Sequence, residues 1–285
     1  MAERLIGVDV GGTKTAVAVL DGARMGEPVL EPTETGSAEA LITQLVDAIG
    51  AAGDASAVGV AVPSVVDWET GRIRSSVNIP LQDVPLRAVL RERLGVRVYI
   101  DNDATSAALA EAHDDDGRLV ARNLVMLTVG TGVGGGIVIG GRIMRGATGA
   151  AAELGHTIVG ADLSGTPFAA AGDHPQPGSL EALASGSALN ELAAAHGIPP
   201  GRAIDLALDG DAGACAAIEL LGRRLGIGIA NAINTFDPEL VIIGGGVSAA
   251  GEMLLGPARE EAARYVLTGV GTRTQVRRAR YGAQA

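Results

Sequence analysis

The sequence predicts an α/β protein built from two similar halves. Three observations carry that expectation. Short apolar runs of strand type alternate with segments of helical periodicity. Each half opens with a strand, a glycine turn and another strand, and a hydrophilic break separates the two openings.

The elements follow in order. Residues 5–10 form a strand, Gly11-Gly12-Thr13-Lys14 a turn, and residues 15–20 a second strand. Leu41, Ile42, Leu45, Val46 and Ile49 recur at helical spacing within residues 37–52. A short buried strand over 58–62 is stopped by Pro63, and a helix over 85–94 precedes a strand over 96–100. Asp101-Asn102-Asp103 then caps an Ala-rich helix running to about Glu111.

The stretch His113-Asp114-Asp115-Asp116-Gly117-Arg118 is the expected linker, giving an N-terminal α/β domain over 1–113 and a C-terminal one over 114–285. Beyond it come a strand over 124–129, the glycine run 130–136 and a strand over 137–139. Residues 160–178, rich in Gly, Pro and Ala, read as a loop, and the longest helix is expected over 212–235. A strand over 240–243 leads into Gly244-Gly245-Gly246, then a helix over 251–265 and a last strand near 274–280. The pattern is an internal duplication, at a period too long for a solenoid.

Composition narrows the classes of function. Hydrophobic residues make up 47% of the 285, so the chain can bury a core and is not a disordered one. No run of about 18 apolar residues suggests a membrane span, and the N-terminus lacks a secretory pattern. The single cysteine, Cys215, rules out an internal disulfide and suits a reducing compartment, so a cytoplasmic location is expected. A net charge of −11 speaks against a nucleic-acid partner, which would need clustered Lys and Arg. The cluster Arg273, Arg277, Arg278 and Arg280 reads as the solvated side of an edge strand. With 42 glycines and 2% aromatics, the chain is expected to pack through small aliphatic side chains and close backbone approaches.

Several motifs bear on chemistry. In Asp9-Val10-Gly11-Gly12-Thr13-Lys14, backbone N–H groups and the Thr13 hydroxyl can face a phosphate, and Asp9 can hold Mg²⁺ through water; an ordinary hairpin turn explains the same residues equally well. Gly130-Thr131-Gly132-Val133-Gly134-Gly135 satisfies the dinucleotide-binding spacing, but a strand follows it where that fold requires a helix. A second hairpin-like phosphate turn fits better. Gly244-Gly245-Gly246-Val247-Ser248 does lie between a strand and a helix and can cradle part of a nucleotide, a tight strand-to-helix turn with no ligand being the other reading. Asp101-Asn102-Asp103 ends a strand, where ligands gather in α/β sheets, and a carboxylate there can take a hydroxyl proton. Glu153, His156 and Glu181 are polar groups in glycine-rich or apolar settings, suited to gripping several hydroxyls, though surface polarity accounts for them as well.

Taken together, these residues resemble the ROK family of bacterial sugar kinases and repressors, over nearly the whole chain. The resemblance implies a two-lobed actin, Hsp70 and hexokinase-like ATPase fold with a cleft between the lobes. The 9–14 turn is similar to the family's first phosphate loop, residues 128–136 to its second, and 244–248 to its adenosine segment. Asn78, in Val77-Asn78-Ile79-Pro80, resembles a sugar-side element. Asn102-Asp103 is similar to the sugar-binding and catalytic pair, Glu153-Leu154-Gly155-His156 to the "E-x-G-H" element, and Glu181 to the last sugar contact.

By that resemblance, ATP with Mg²⁺ phosphorylates a hexose at its 6-hydroxyl, Asp103 is the base, and the protein is a homodimer. Glucose is the implied sugar, with kanosamine or another amino sugar as an alternative, polyphosphate an alternative donor, and a non-catalytic sugar sensor a reading of a different class. The chain departs from the family where a zinc segment is usual: its cysteine positions hold Gly172, His174 and Ser179, so no structural zinc is expected. Ser64 stands where the kinases commonly have Gly, and the chain ends before a helix that relatives usually carry. With the first phosphate loop so near the N-terminus, the kinase branch of the family is expected and not the repressors.

Overall fold

The computed structural model describes residues 4–22, 24–76, 78–160, 172 and 174–280. The chain divides into two compact units, one of Met1–Ser106, His113–Val120 and Arg145–Ala151, the other of Ala107–Ala112, Ala121–Met144 and Ala152–Ala285. Among the described residues no helix is long and apolar enough to cross a membrane.

In the first unit, β1 (Arg4–Val10) and β2 (Lys14–Asp21) form an antiparallel hairpin, continued by β3 (Arg24–Met25) and β4 (Val29–Pro32) on β2. Helix α1 (Ala38–Ala51) starts where Ser37 Oγ accepts the Ala40 N–H, and it buries Leu41, Ile42, Leu45 and Ile49, the stripe its spacing predicts. Next come β5 (Ala57–Val62), a small hairpin of β6 (Ser64–Asp67) and β7 (Arg72–Ser76), α2 (Leu86–Leu94), β8 (Arg97–Asn102) and the start of α3 (Asp103–Glu111), whose residues from Ala107 on belong to the second unit. The order β3-β2-β1-β5-β8 makes β1, β5 and β8 parallel neighbours. Ile6, Val8, Val60, Val98 and Ile100 join Leu41, Leu45 and Leu90 in one core.

The second unit repeats the plan. It contains β9 (Leu124–Val129), β10 (Val133–Ile139), β11 (Arg142–Ile143), α4 (Leu180–Ala184), α5 (Gly186–Ala194), α6 (Ala203–Leu208), α7 (Ala212–Phe236), β12 (Leu240–Gly244), α8 (Glu252–Tyr265) and β13 (Gln275–Arg278). Again a hairpin, β9 with β10, is followed outward by two parallel strands, in the order β11-β10-β9-β12-β13. The duplication expected from the sequence is therefore one of sheet topology. Glycines bring α7 and α8 close: a Cβ at Gly222 would lie 2.5 Å from Leu254 O, and one at Gly226 2.6 Å from Ala258 O.

One segment differs from its reading in the sequence. The basic cluster is not wholly solvated, since Arg277 Nη2 lies 3.2 Å from Glu111 Oε2, Arg280 donates its backbone N–H to Glu111 Oε1 at 2.6 Å, and Glu111 is fully buried. A buried carboxylate needs such partners, so the end of β13 is drawn onto it. The acidic stretch after α3 is a folded turn, with Asp114 Oδ1 accepting the N–H groups of Asp116 and Arg118 and a bridge joining His113 to Leu119. The loop expected over 160–178 falls largely outside the described residues.

Candidate active site

In the first unit the β1–β2 turn brings Asp9, Gly11, Gly12, Thr13 and Lys14 to one end of the sheet. Gly11 N–H donates to Lys14 O at 2.9 Å, and Thr33 Oγ1 donates to Gly11 O at 2.7 Å, so the turn is held from a neighbouring segment. Gly12 leaves little room for a side chain: a Cβ there would lie 3.2 Å from Asn78 Cβ, which would have to give by a few tenths of an ångström. Asn78, read in the sequence as a sugar-side residue, thus sits directly on the first glycine turn.

At the C-terminal end of β8 three consecutive residues do three different things. Asp101 accepts the Asn102 N–H at Oδ1 and the Arg145 guanidinium at Oδ2. Asn102 caps α3, accepting the Thr105 N–H at Oδ1 (3.0 Å), and its amide points at Ser64 O, 3.5 Å away. Asp103 opens the helix, accepting the Ala104 N–H at 2.7 Å. Burial raises the Asp103 pKa above the usual carboxylate value, against the hydrogen bonds from Ala104 and Asn102 that lower it. Asp9 is accessible to solvent but hemmed in by protein; partial desolvation first, then the negative charge of Asp103, raises its pKa too. Asp9, whose charge is disfavoured by desolvation and by Asp103, offers hard carboxylate oxygens of the kind that fits a Mg²⁺ ion. Ser64 is buried, and its hydroxyl donates to Ser76 Oγ at 2.9 Å.

In the second unit the β9–β10 turn carries Gly130, Thr131 and Gly132, closed by a Gly130 N–H to Gly132 O bond of 2.9 Å. Glu181, in the first turn of α4, accepts the Val133 N–H at Oε2 (2.7 Å), and a Cβ on Gly132 would collide with that oxygen. Gly186 N–H donates to Gly130 O at 2.7 Å and Ser187 Oγ to Thr131 O at 2.9 Å. Gly244-Gly245-Gly246 joins the same cluster: Gly245, at φ +77°, packs so closely that a Cβ would lie 2.5 Å from Val129 O. The β9–β10 turn, the glycine segment after β12 and Glu181 are therefore brought together. Glu153 precedes and His156 ends a short 3₁₀ turn pinned by Gly155, whose Cβ would collide with Val133 O. Both are exposed, with Glu153 Oε2 3.9 Å from His156 Nε2, and the His156 and His174 rings meet edge to face at 5.2 Å. Among the described residues no group of three or more His, Cys, Asp or Glu side chains is gathered to hold a metal.

Sequence reasoning missed Arg145, Gly186 and Ser187. Ser185 capping α5 was a local signal for the last two; Arg145 left none.

Two sheets of one hairpin-led topology, each carrying a glycine turn at the hairpin, define an α/β protein of the actin, Hsp70 and hexokinase-like ATPase class. Over residues 5–285 the sequence matches the ROK family. The chain is 35% identical to a glucokinase of Halalkalibacterium halodurans over 98% of this chain and 91% of that protein. A crystal structure of a ROK family glucokinase from Streptomyces griseus in complex with glucose and AMPPNP is 32% identical, with a TM-score of 0.81 over 99% of this chain and 96% of that one. A ROK hexokinase structure from Thermus thermophilus is 36% identical, with a TM-score of 0.75 over 99% and 94%. The chain belongs to the ROK family.

Proposed function

We propose that the protein is an ATP-dependent hexose kinase that phosphorylates a sugar at its 6-hydroxyl, with glucose as the first substrate and Asp103 as general base. The observation that carries this reading is the Asp103 carboxyl at the start of α3, its pKa raised by burial, in a chain with a glycine turn in each unit. A carboxylate made more basic by desolvation is better matched to taking a proton from an alcohol.

In the proposed step Asp103 accepts the proton of the sugar's O6 as that oxygen forms a bond to the γ-phosphorus of ATP. The bond from γ-phosphorus to the bridging oxygen breaks and ADP leaves. Asn102 orients the sugar from the residue beside the base, and Asn78, Glu153, His156 and Glu181 are its further contacts. The N–H groups of Gly12, Thr13 and Lys14, and those of Thr131 and Gly132, hold the phosphates, Gly11 and Gly130 using theirs to close the two turns, while Gly244, Gly245 and Gly246 line the adenosine. Asp9 would hold Mg²⁺ through water, and the bound ion would offset phosphate charge. Positioning and electrostatics dominate phosphoryl transfer, so the turns matter as much as the base.

Glucose is preferred to an amino sugar because Glu181 Oε2 is committed to the Val133 N–H. That leaves fewer carboxylate oxygens for an ammonium group. The test is ADP release with ATP and Mg²⁺ across glucose, mannose, fructose, glucosamine, N-acetylglucosamine and kanosamine, with Asp103→Asn beside the parent. One sugar well above the rest and silent in the variant is the expected result. A variant with near-parent turnover removes Asp103 as the base, and no turnover with any sugar removes the hexose kinase reading.

A further inference from the structure

We propose that Arg145 is a positioning residue for Asp103, acting through Asp101. The proposal rests on the reading of Asp103 as base.

Arg145 is fixed from two directions. Its Nε and Nη2 donate to Asp101 Oδ2 at 3.1 and 2.6 Å, and its guanidinium carbon lies 4.5 Å from the Trp68 ring centroid. The pair is largely shielded, the side chains being 27% and 21% exposed for Arg145 and Asp101. A guanidinium stacked on a ring and forked onto a carboxylate has little freedom left. The segment behind it is anchored as well: Gly149 takes φ +83° and packs its Cα against Val66 O, where any Cβ would collide.

The restraint reaches Asp103 along a short path. Asp101 spends its other oxygen on the Asn102 N–H at 3.0 Å, so the carboxylate ties the last two residues of β8 together. Asn102 in turn caps α3 through the Thr105 N–H at 3.0 Å, and α3 begins with Asp103 itself. Without Arg145 the shielded Asp101 carboxylate has no cation, and it must turn toward water or pull the strand end with it. A base displaced by about 1 Å can lose on the order of 10²-fold in rate.

The decisive experiment compares the parent with Arg145→Met, Arg145→Lys, Asp101→Asn and the double variant Asp101→Asn with Arg145→Met, using steady-state ADP release and the parent's preferred sugar. Arg145→Met is expected to lower kcat by roughly 10- to 100-fold with KM for ATP and sugar moving less than about threefold. Arg145→Lys, which keeps the charge but not the fork or the stack, is expected in between. The double variant is expected to recover at least about threefold over Arg145→Met, because no unpaired carboxylate remains. A kcat within about twofold of the parent, or a loss carried by KM alone, overturns the proposal.

Amide hydrogen exchange at Asn102, Ala104 and Thr105 in the intact protein gives a second readout. Faster exchange in Arg145→Lys than in the parent supports the proposal, and unchanged exchange refutes it, even if Arg145→Met fails to fold. If the parent phosphorylates no sugar, the kinase reading falls on its own, while the exchange measurement still decides whether Arg145 orders the start of α3.

Discussion

Replacing Gly132 by Ala tests how the second glycine turn is built. The added methyl would occupy the space of Glu181 Oε2, so the carboxylate must withdraw from the Val133 N–H that it accepts at 2.7 Å. A hydrogen bond to a charged group contributes about 1.5–3 kcal/mol net. If the whole of that is expressed in holding the phosphates, affinity for ATP falls by roughly 10- to 150-fold. Glu181→Ala removes the same bond from its other end, but also the sugar contact proposed for Glu181, so the glycine variant is the cleaner probe. The assay is steady-state ADP release with ATP varied at saturating sugar, on both single variants and the double. A rise in KM for ATP is expected in both, and the double is expected to be little worse than the worse single variant, since one contact cannot be lost twice. An unchanged KM for ATP in Gly132→Ala, or fully multiplicative effects in the double, would refute the reasoning.

Further outcomes follow from the same geometry. Asp103→Asn should cost kcat about 10²- to 10⁴-fold, with the circular-dichroism spectrum unchanged. Its stability should depend on pH in a defined sense. Burial raises the Asp103 pKa in the folded state above the ordinary 3.8, as desolvation does for Asp9, so the stability these neutral carboxyls contribute is complete below 3.8 and lost as pH rises through the raised values. Asp103→Asn should therefore melt above the parent at pH 7, with the gap closing on acidification; a parent that gains on the variant between pH 4 and 7 contradicts the burial argument. Replacing both Arg277 and Arg280 by Ala removes both cations from the fully buried Glu111, leaving it the residue 280 backbone N–H, and should cost about 3–5 kcal/mol in urea unfolding. A loss below about 1 kcal/mol would mean that the carboxylate reaches water or is protonated.

Sequence alone determined the features whose causes are local. A strand, a glycine turn and a second strand can be read at 5–20 and again at 124–139 because alternation and turn chemistry act over a few residues. The helix stripe at Leu41, Ile42, Leu45 and Ile49 and the cap before α3 are legible for the same reason. The sequence also excluded a dinucleotide-binding helix after Gly134, and β10 runs through that position. Tertiary structure alone decided which distant polar groups meet. Arg145 reaches Asp101 across 44 residues, Glu181 reaches Val133 across 48, and Arg280 reaches Glu111 across 169. Nothing near Arg145 or Arg280 in the chain distinguishes either from a solvated arginine, and nothing near Glu181 says that one of its oxygens belongs to a backbone N–H. Such pairings are set by where the sheets bring segments together, and the energy that selects them exists only once burial has made an unpaired charge costly.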